Sequence, residues 1–481
     1  MGIVTFLRFL SVLARKIAYN VVINTVAKIL STVLALVNIG FITRYLGING
    51  FGDYATVLAF FSFFGAILDL GLYSVSTREI SRKNADQEKI MGNVFTLRIL
   101  SSFLVVVIAP ILIWILPYGQ NIEKGILIIA LNYVFSSSYM VLNGVFQKNL
   151  RMDKVTITEF FGKIVQVFFV AMAVKFDWGF DAIMFSVLAN TLFTFLIVIF
   201  LSRKYVKFSL SLDWIYWKKF FKMSFPVGIS AMVTFLYFKM DTIILSILKG
   251  SEAVGVYNMA YKIIENITFF PGMMVGLILP LLSMYIFTDK HKFTKITNET
   301  AKVFFLMIVP LVIGTLFLAE DIISIIGGED FIISANVLRI LIIALAFIFF
   351  GNLFNSILIA ANLQKKLMYI LSFCAFFNIV LNLIVIPIYS YSGAATVSVL
   401  TEFLVVAITA YFASRDLDYR FSTKGWEKII FSGLMMGAFL LLFGKIGFIF
   451  AFFGSVFVYL IFLWLTRAIT VREVKSLLFS N

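Results

Sequence analysis

The sequence predicts an all-α polytopic membrane protein with about 14 transmembrane helices, arranged as two six-helix lobes related by a parallel pseudo-repeat, plus two C-terminal helices. Three observations predict this fold class. Hydrophobic residues form 61% of the chain and the mean hydropathy is +1.01, well above the roughly 45–50% apolar share of soluble domains. Apolar stretches long enough to cross a bilayer follow one another along the whole chain. The loops between them are basic at every second turn.

The apolar stretches define the individual spans. In chain order these are 18–42, 53–77, 92–117, 123–146, 155–176, 180–202, 219–247, 253–285, 302–319, 331–358, 366–388, 392–414, 427–444 and 446–466. A spanning helix takes about 20 residues, so about 280 residues lie in the membrane and only short loops remain. A soluble catalytic domain does not fit into those loops.

Lysine and arginine are unevenly distributed between the two sets of loops. If both termini are cytoplasmic, the outer loops hold only Arg44, Lys124, Lys175, Lys249 and Lys445, and the other basic loop residues lie inside. This asymmetry follows the positive-inside rule and requires an even number of spans. The net charge of +15 then faces the anionic inner leaflet. Nucleic acid is therefore not an expected partner.

The two halves of the chain carry related residues at constant offsets. Gly47, Gly52 and Tyr54 recur as Gly250, Gly255 and Tyr257, and Ser186, Arg203 and Trp214 recur as Ser398, Arg415 and Trp426. Both sets keep their order and lie six spans apart, which indicates an internal repeat. Because six is even, the two lobes have the same orientation in the membrane.

These patterns divide the chain into six segments. They are an interfacial N-terminal segment (1–17), an N-lobe of spans one to six (18–202), a cytoplasmic linker (203–218), a C-lobe of spans seven to twelve (219–414), spans thirteen and fourteen (427–466) and a cytoplasmic tail (467–481).

The residue types needed for most catalytic chemistry are scarce. The single cysteine, Cys374, lies in an apolar run, and the single histidine, His291, lies in a loop. They provide neither a disulfide framework nor a metal-binding cluster, and the phosphate loop G-x-x-x-x-G-K-[ST] does not occur. The sequence predicts no catalytic residue, no metal site and no cofactor.

Charged residues remain inside the predicted spans. The basic ones are Lys28, Arg98, Lys163, Lys239, Lys262, Lys302 and Arg339, and the acidic ones are Asp69, Glu159, Asp241, Glu265 and Glu402. Each would cost about 2.5–3.5 kcal/mol at the centre of a lipid-facing helix. We therefore expect most of them to line a hydrated cavity between the lobes or to pair with one another.

The spacing of polar residues supports such a cavity. Asn20, Asn24, Lys28 and Thr32 recur every fourth residue, on one face of span one. Span eight places Asn258, Lys262 and Glu265 on one face beside Tyr257 and Tyr261, and span seven adds Lys239 and Asp241. These residues predict a mixed-charge cavity lined with aromatic side chains. A purely structural alternative stays open, in which neighbours such as Lys262 and Glu265 neutralise each other.

Three segments resemble a known family. They are RYLGINGFGDYATVLAFFSFFGAILDLGLYSVSTREISRK, YFKMDTIILSILKGSEAVGVYNMAYKIIENITFFPGMMVGLILPLLS and FNIVLNLIVIPIYSYSGAATVSVL. They look like spans one to two, seven to eight and eleven to twelve of polysaccharide flippases, the Wzx-type branch of the multidrug, oligosaccharidyl-lipid and polysaccharide exporter superfamily. The resemblance covers nearly the whole chain.

The resemblance implies a flippase that works by alternating access in the cell membrane. It would move a polyprenyl-(di)phosphate-linked oligosaccharide from the cytoplasmic to the outer leaflet, with membrane lipid and polysaccharide-assembly proteins as further partners. The substrate-cavity residues would be Asn24, Lys28, Lys239, Tyr257, Tyr261, Lys262 and Arg339, with the four cations on the phosphate. Asp241 and Glu265 would carry a coupling cation.

Two alternatives stay open. A cation-coupled drug or small-molecule exporter of the same superfamily would share the fold, although its cavity should favour acidic over basic residues. A membrane-embedded glycosyltransferase or polymerase would need acidic or metal-binding residues on a long outer loop. The outer loops predicted here are short.

Overall fold

The protein is mainly helical in the residues described by the computed structural model, which are 2–69, 71–82, 84–417, 419 and 421–468. Side chains are not described at 2–22 and at a few further positions, and the tail beyond Ala468 lies outside the described residues. The interfacial character predicted for 1–17 therefore stays a prediction, as does the cytoplasmic tail.

Thirteen α-helices follow one another in the described residues. They are α1 Gly2–Asp69, α2 Leu72–Ile80, α3 Gln87–Ile115, α4 Gln120–Lys148, α5 Met152–Lys175, α6 Gly179–Ser202, α7 Trp214–Ile267, α8 Phe269–Tyr285, α9 Lys290–Gly327, α10 Ser334–Ala360, α11 Gln364–Leu417, α12 Trp426–Phe443 and α13 Phe448–Leu465. Short 3₁₀ turns occupy Glu329–Phe331 and Gly444–Ile446.

Eleven helical segments of the described chain are long and apolar enough to cross a membrane. Three long helices, α1, α7 and α11, each contain one residue with non-helical backbone angles. Each of these residues lies where the sequence predicts a loop between two spans. The all-α membrane fold is confirmed, while the count of fourteen crossings stays a prediction.

The breaks in α1 and α7 have the same backbone geometry. Gly47 has φ 66° and ψ −173°, and Gly250 has φ 78° and ψ −172°. This combination is accessible to glycine and strongly disfavoured for residues that carry a Cβ. The two glycines are equivalent in the predicted repeat, so both halves of the chain turn on the same residue type in the same conformation.

Packing divides the chain into two compact units, Met1–Gly255 and Val256–Asn481. In the first unit, α1 packs against α4 and α5, α3 packs against α4, and α6 packs against both α4 and α5. In the second unit, α10 packs against α9 and α11, and α12 packs against α9 and α13. The boundary follows Gly255, whereas the predicted boundary between lobes is the linker 203–218. The division into two six-helix lobes stays a prediction.

The linker 203–218 is partly helical, because α7 already begins at Trp214. Its extended part lies on α3: the amide of Ser211 donates to the hydroxyl of Thr96 at 3.0 Å, and that of Asp213 donates to Asn93 at 3.1 Å. The Asp213 carboxylate accepts a hydrogen bond from the Tyr216 amide, and this bond holds the pKa of Asp213 below its usual range. The linker is therefore a packed segment.

The part of α1 next to its break at Gly47 is joined to the turn between α5 and α6. The hydroxyl of Tyr45 donates to Asp177 at 2.7 Å and accepts from the amide of Gly179 at 2.7 Å. One side chain thus connects α1 to the ends of both later helices.

Candidate functional site

The predicted polar face of α1 is turned towards α5. Thr156 of α5 donates a hydrogen bond to the side-chain oxygen of Asn24 at 2.8 Å. One turn further along α1, the ammonium group of Lys28 interacts electrostatically with the carboxylate of Glu159, also on α5. The structure therefore brings two of the predicted site residues onto one helix–helix interface.

Helix α5 continues this interface with a polar row of its own. The carboxylate of Glu159 also interacts with Lys163. The ammonium group of Lys163 donates to the side-chain oxygen of Gln166 at 3.1 Å, and Asn190 of α6 donates to the same oxygen at 3.3 Å. Gln166 is 3% exposed. These residues form a continuous polar layer across α1, α5 and α6.

A second charged pair lies at the junction of α1 and α2. The guanidinium of Arg98, 1% exposed, contacts the carboxylate of Asp69 at 2.5 Å and donates through Nε to the carbonyl of Ser137 at 3.2 Å. Asp69 ends α1, and Gly71 caps α2 in the left-handed region at φ 73°. The apolar span predicted at 53–77 is therefore interrupted at Asp69. The ion pair with Arg98 stabilises Asp69 at this break.

Two tyrosines adjoin this charged pair. The hydroxyl of Tyr133 is buried and makes no hydrogen bond within the described residues, and it interacts electrostatically with Arg98 and Asp69. Tyr73 interacts with both Asp69 and Glu159. Its hydroxyl donates a hydrogen bond to the side-chain oxygen of Gln147 on α4 at 2.9 Å, so Tyr73 lies near both charged groups while bonded to α4. We call Lys28, Asp69, Arg98, Glu159, Lys163, Tyr73, Tyr133 and Gln166 the first-unit polar network.

The first-unit polar network combines opposite charges: Arg98 and Gln166 are buried, Glu159 and Lys163 are half-buried, and Lys28 is exposed. Its cations are Lys28, Arg98 and Lys163, and its anions are Asp69 and Glu159. One cation is in excess. Discontinuous helices with charged and hydrogen-bonding groups at the break are typical of transporter binding sites.

The predicted group on span eight lies in the second unit, on the second arm of α7. Lys262 and Glu265 form an ion pair at 2.8 Å, so they do neutralise each other, and both side chains remain partly exposed. The rings of Tyr257 and Tyr261 stack with centroids 5.7 Å apart, and the hydroxyl of Tyr257 lies 3.3 Å from that of Ser398 on α11. The residues are adjacent, as the spacing predicts.

The remaining predicted residues occupy different settings. Asp241 is 4% exposed and accepts a hydrogen bond from the amide of Thr242 at 2.7 Å, while Lys239, two residues earlier, is partly exposed. Their assignment to the cavity and to cation coupling stays a prediction.

Arg339 is held between α9 and α10. Its guanidinium contacts Glu320 at 2.9 Å, Asn336 at 2.9 Å and the carbonyl of Leu316 at 3.1 Å. These three partners give Arg339 a local structural role. Its role in substrate binding stays a prediction.

Sequence reasoning noted Glu159, Lys163, Asp69 and Arg98 as charges inside spans but did not place them in the site. A signal for the first two was present, because Glu159, Lys163 and Gln166 follow helical spacing on one face of α5. The Asp69–Arg98 pair joins α1 to α3 through tertiary packing, so no local sequence pattern predicts it.

The comparisons with known proteins agree on one group. The family model described as "Polysaccharide biosynthesis protein" matches residues 17–286, and a model named MatE matches 226–384. The chain is 24% identical to the capsular polysaccharide biosynthesis protein CapF of Staphylococcus aureus, over 68% of this chain and 84% of that protein. It is 25% identical to a putative O-antigen transporter of Shigella flexneri, over 68% and 81%. With the probable low-salt glycan biosynthesis flippase Agl15 of Haloferax volcanii the identity is 22%, over 86% and 88%.

Solved structures show the same fold. The lipid II flippase MurJ in an inward closed conformation superposes with a TM-score of 0.78 at 15% identity, covering 94% of this chain and 99% of that one. An inward-facing multidrug resistance transporter of the MATE family superposes with a TM-score of 0.70 at 13% identity, covering 83% and 98%.

Proposed function

Because the chain belongs to the polysaccharide biosynthesis protein family, we propose that it is a flippase that moves a polyprenyl-(di)phosphate-linked oligosaccharide from the cytoplasmic to the outer leaflet. The chain is a transporter and not an enzyme, in keeping with the transporter and flippase relatives and the transporter fold. The proposal places it in the cell membrane with both termini in the cytoplasm, as the charge asymmetry of the loops predicts.

The observation that carries this proposal is the first-unit polar network. A saccharide head group loses many hydrogen bonds when it leaves water, so its path through a membrane must supply polar partners. The network offers hydroxyl and amide groups for the sugar. Its excess cation suits a phosphate, because charge-assisted hydrogen bonds to phosphate are among the strongest.

We assign distinct roles within the network. Lys28 and Lys163 bind the phosphate of the carrier, and Glu159 limits the local positive charge so that the anion is released again. Tyr73, Tyr133 and Gln166 hydrogen-bond the sugar. In the second unit, Lys262, Tyr257 and Tyr261 remain candidates for saccharide binding, since aromatic faces and hydroxyls suit a saccharide. Asp241 and Glu265 remain the candidates for a coupling cation.

The direct test of this function is a deletion strain. We expect loss of the protein to leave the lipid-linked glycan on the cytoplasmic leaflet, which glycan labelling on sealed cells measures. Re-expression of the wild-type chain restores outer labelling. An unchanged leaflet distribution in the deletion strain would contradict the flippase proposal.

A second prediction concerns Lys28. We expect Lys28→Ala to lower transfer of the lipid-linked glycan about tenfold or more, because a desolvated charge-assisted contact with phosphate contributes about 1.5–3 kcal/mol. Leaflet labelling of cells with equal amounts of the variant in the membrane measures the loss. Lys262→Ala, in the second unit, should act in the same direction.

Two controls belong to this test. Lys28→Arg keeps the charge and should retain most of the transfer. Lys204→Ala removes an exposed charge from the linker and should transfer like the wild type. Normal transfer by Lys28→Ala would remove Lys28 from the substrate path.

The competing function is a cation-coupled exporter of free small molecules. The MatE match over 226–384 and the MATE-like superposition favour it at the level of the fold. That match covers a shorter part of the chain than the polysaccharide model, and the first-unit polar network has more cations than anions. Increased drug sensitivity of the deletion strain, with normal glycan distribution, would favour the exporter.

A further inference from the structure

A basic pocket lies at one end of the second unit, and none of its lining residues belongs to the candidate site described above. It has a volume of about 440 Å³ and lies where α9 and α12 begin and α13 ends. Its cationic lining residues are Lys295, Lys302, Lys424, Lys428 and Arg467, and its one lining carboxylate is Glu299. Four of these five cations come from loops or helix ends that the charge distribution predicts to be cytoplasmic. The set has a large excess of positive charge in a small volume.

The pocket is built on fixed supports. The hydroxyl of Tyr419 donates to the side-chain oxygen of Asn298 on α9 at 2.6 Å, and the amide of Ser422 donates to the same oxygen at 3.3 Å. The ring of Tyr419 packs edge-on against Phe293 of α9. The loop that carries Lys424 is therefore tied to the helix that carries Lys295 and Lys302.

The beginning of α12 adds to the positive potential. Gly425 caps this helix in the left-handed region at φ 85°, and Lys428 lies in its first turn. The first amide groups of a helix have no partner within the helix, so its N-terminus attracts anions. Glu299 is the one carboxylate among the lining residues and lies 3.9 Å from Lys295, and Glu427 lies in the first turn of α12. Like charges this close repel one another, and binding of an anion relieves the repulsion.

The surroundings indicate what kind of anion fits. The ring of Trp426 stacks on Phe305 of α9 with centroids 4.0 Å apart, directly beside the cations. Tryptophan at this position is typical of the membrane–water interface. From the next turns of α12, Ile430 and Leu434 project with 47% and 63% of their surface exposed. The acyl chains of a lipid whose phosphate lies in the pocket could thus lie on this apolar surface.

We propose that this pocket binds the phosphate head group of an anionic membrane phospholipid. Basic pockets between transmembrane helices on the cytoplasmic side are suited to such head groups. The lipid joins the beginning of α9 to α12 and α13 by neutralising their cations. The site is separate from the proposed glycan path and does not depend on it.

The test uses the purified full-length protein and native mass spectrometry, which counts the lipids that remain bound. The probes are cardiolipin and phosphatidylcholine, titrated separately, and inorganic diphosphate as a free anion. We expect cardiolipin to be retained at concentrations at least about tenfold lower than phosphatidylcholine. The triple variant Lys302→Gln, Lys424→Gln, Lys428→Gln should weaken cardiolipin retention about a hundredfold, since each cation near the surface contributes about tenfold or less.

A matched variant removes the same charge from another part of the same predicted face. Lys204→Gln, Lys207→Gln, Lys218→Gln alters the linker of the first unit and should change cardiolipin retention less than about twofold. Thermal melting checks that both triple variants fold. If the pocket variant does not fold, the single charge reversal Lys428→Glu replaces it in the lipid titration. Equal loss in the two triple variants would show diffuse attraction and overturn the proposal. Equal retention of both lipids, or displacement of cardiolipin by inorganic diphosphate at micromolar concentration, would overturn it too.

Discussion

Gly52→Ala should abolish transfer of the lipid-linked glycan and destabilise the protein by about 1–3 kcal/mol, because it forces extra volume into a packed backbone contact. A methyl group on Gly52 would overlap the carbonyl oxygen of Ser251 on α7, and one on Gly255 would overlap that of Ile48 on α1. The contact is reciprocal in the predicted repeat. Gly52 and Gly255 are equivalent positions, and the residues that they meet, Ser251 and Ile48, are equivalent too. Since the obstacles are backbone atoms, no rotamer change makes room.

The measurement combines leaflet labelling with thermal melting of the purified variant. Gly276→Ala is the control, because a methyl group on Gly276 would meet no atom within 4 Å and its backbone is helical. The substitution at Gly276 should be neutral or slightly stabilising. Wild-type transfer by Gly52→Ala would show that the crossing of α1 and α7 is dispensable.

The same crossing offers a chemical test of its movement. The hydroxyl of Ser251 donates a hydrogen bond to the carboxylate of Asp53 beside the glycines. Cysteines at these two positions, with Cys374→Ala as background, should form a disulfide in the oxidised protein. If the proposed alternating access separates α1 from α7 here, the disulfide should stop transfer and a reductant should restore it.

Arg98→Ala should be the most destabilising change in the first-unit polar network. It leaves the Asp69 carboxylate without its ion-pair partner inside a helix bundle, and breaking a buried pair costs about 3–5 kcal/mol. Asp69 is 20% exposed, so the cost should fall near the lower figure. Thermal or denaturant unfolding in detergent measures it.

Two comparisons make this prediction specific. The double variant Arg98→Met, Asp69→Asn removes both charges and should recover a large part of the stability, because no unpaired ion remains. Arg82→Ala breaks a pair with Glu79 in which the arginine is 62% exposed, and it should cost less than about 1 kcal/mol. Similar losses of unfolding free energy for Arg98→Ala and Arg82→Ala would show that burial of the Arg98 pair contributes nothing to stability.

The helices themselves follow from sequence patterns to different degrees. Spans predicted at 155–176 and 427–444 match α5 and α12 closely, because Lys, Asp and Gly residues end the apolar runs there. The span predicted at 302–319 is much shorter than α9, Lys290–Gly327. The first turns of α9 are polar and extend out of the apolar layer, so a hydropathy criterion omits them. The predicted loop at 43–52 is helical except at Gly47, because one glycine suffices to turn the chain.

The candidate site is predictable only where it follows local spacing. Asn24 and Lys28 share a face of α1 because helical geometry requires it, and Lys262 and Glu265 pair for the same reason. The partner of Lys28, Glu159, lies far away in the chain, and only the packing of α1 on α5 brings the two together. The interruption at Asp69 lies within an apolar run, so hydropathy predicts a continuous span.

The hydrogen bonds of Tyr45 have a consequence for the energetics of a transport cycle. Through Asp177 and Gly179 this hydroxyl anchors α1, next to its break at Gly47, to the chain between α5 and α6, and Asn24 joins α1 to the first turns of α5. We therefore expect α1 and α5 to move together in a transport cycle, so that Lys28 and Glu159 stay close to each other. Their mutual attraction would then change little between states, and most of the electrostatic work of reorientation would fall on the cargo.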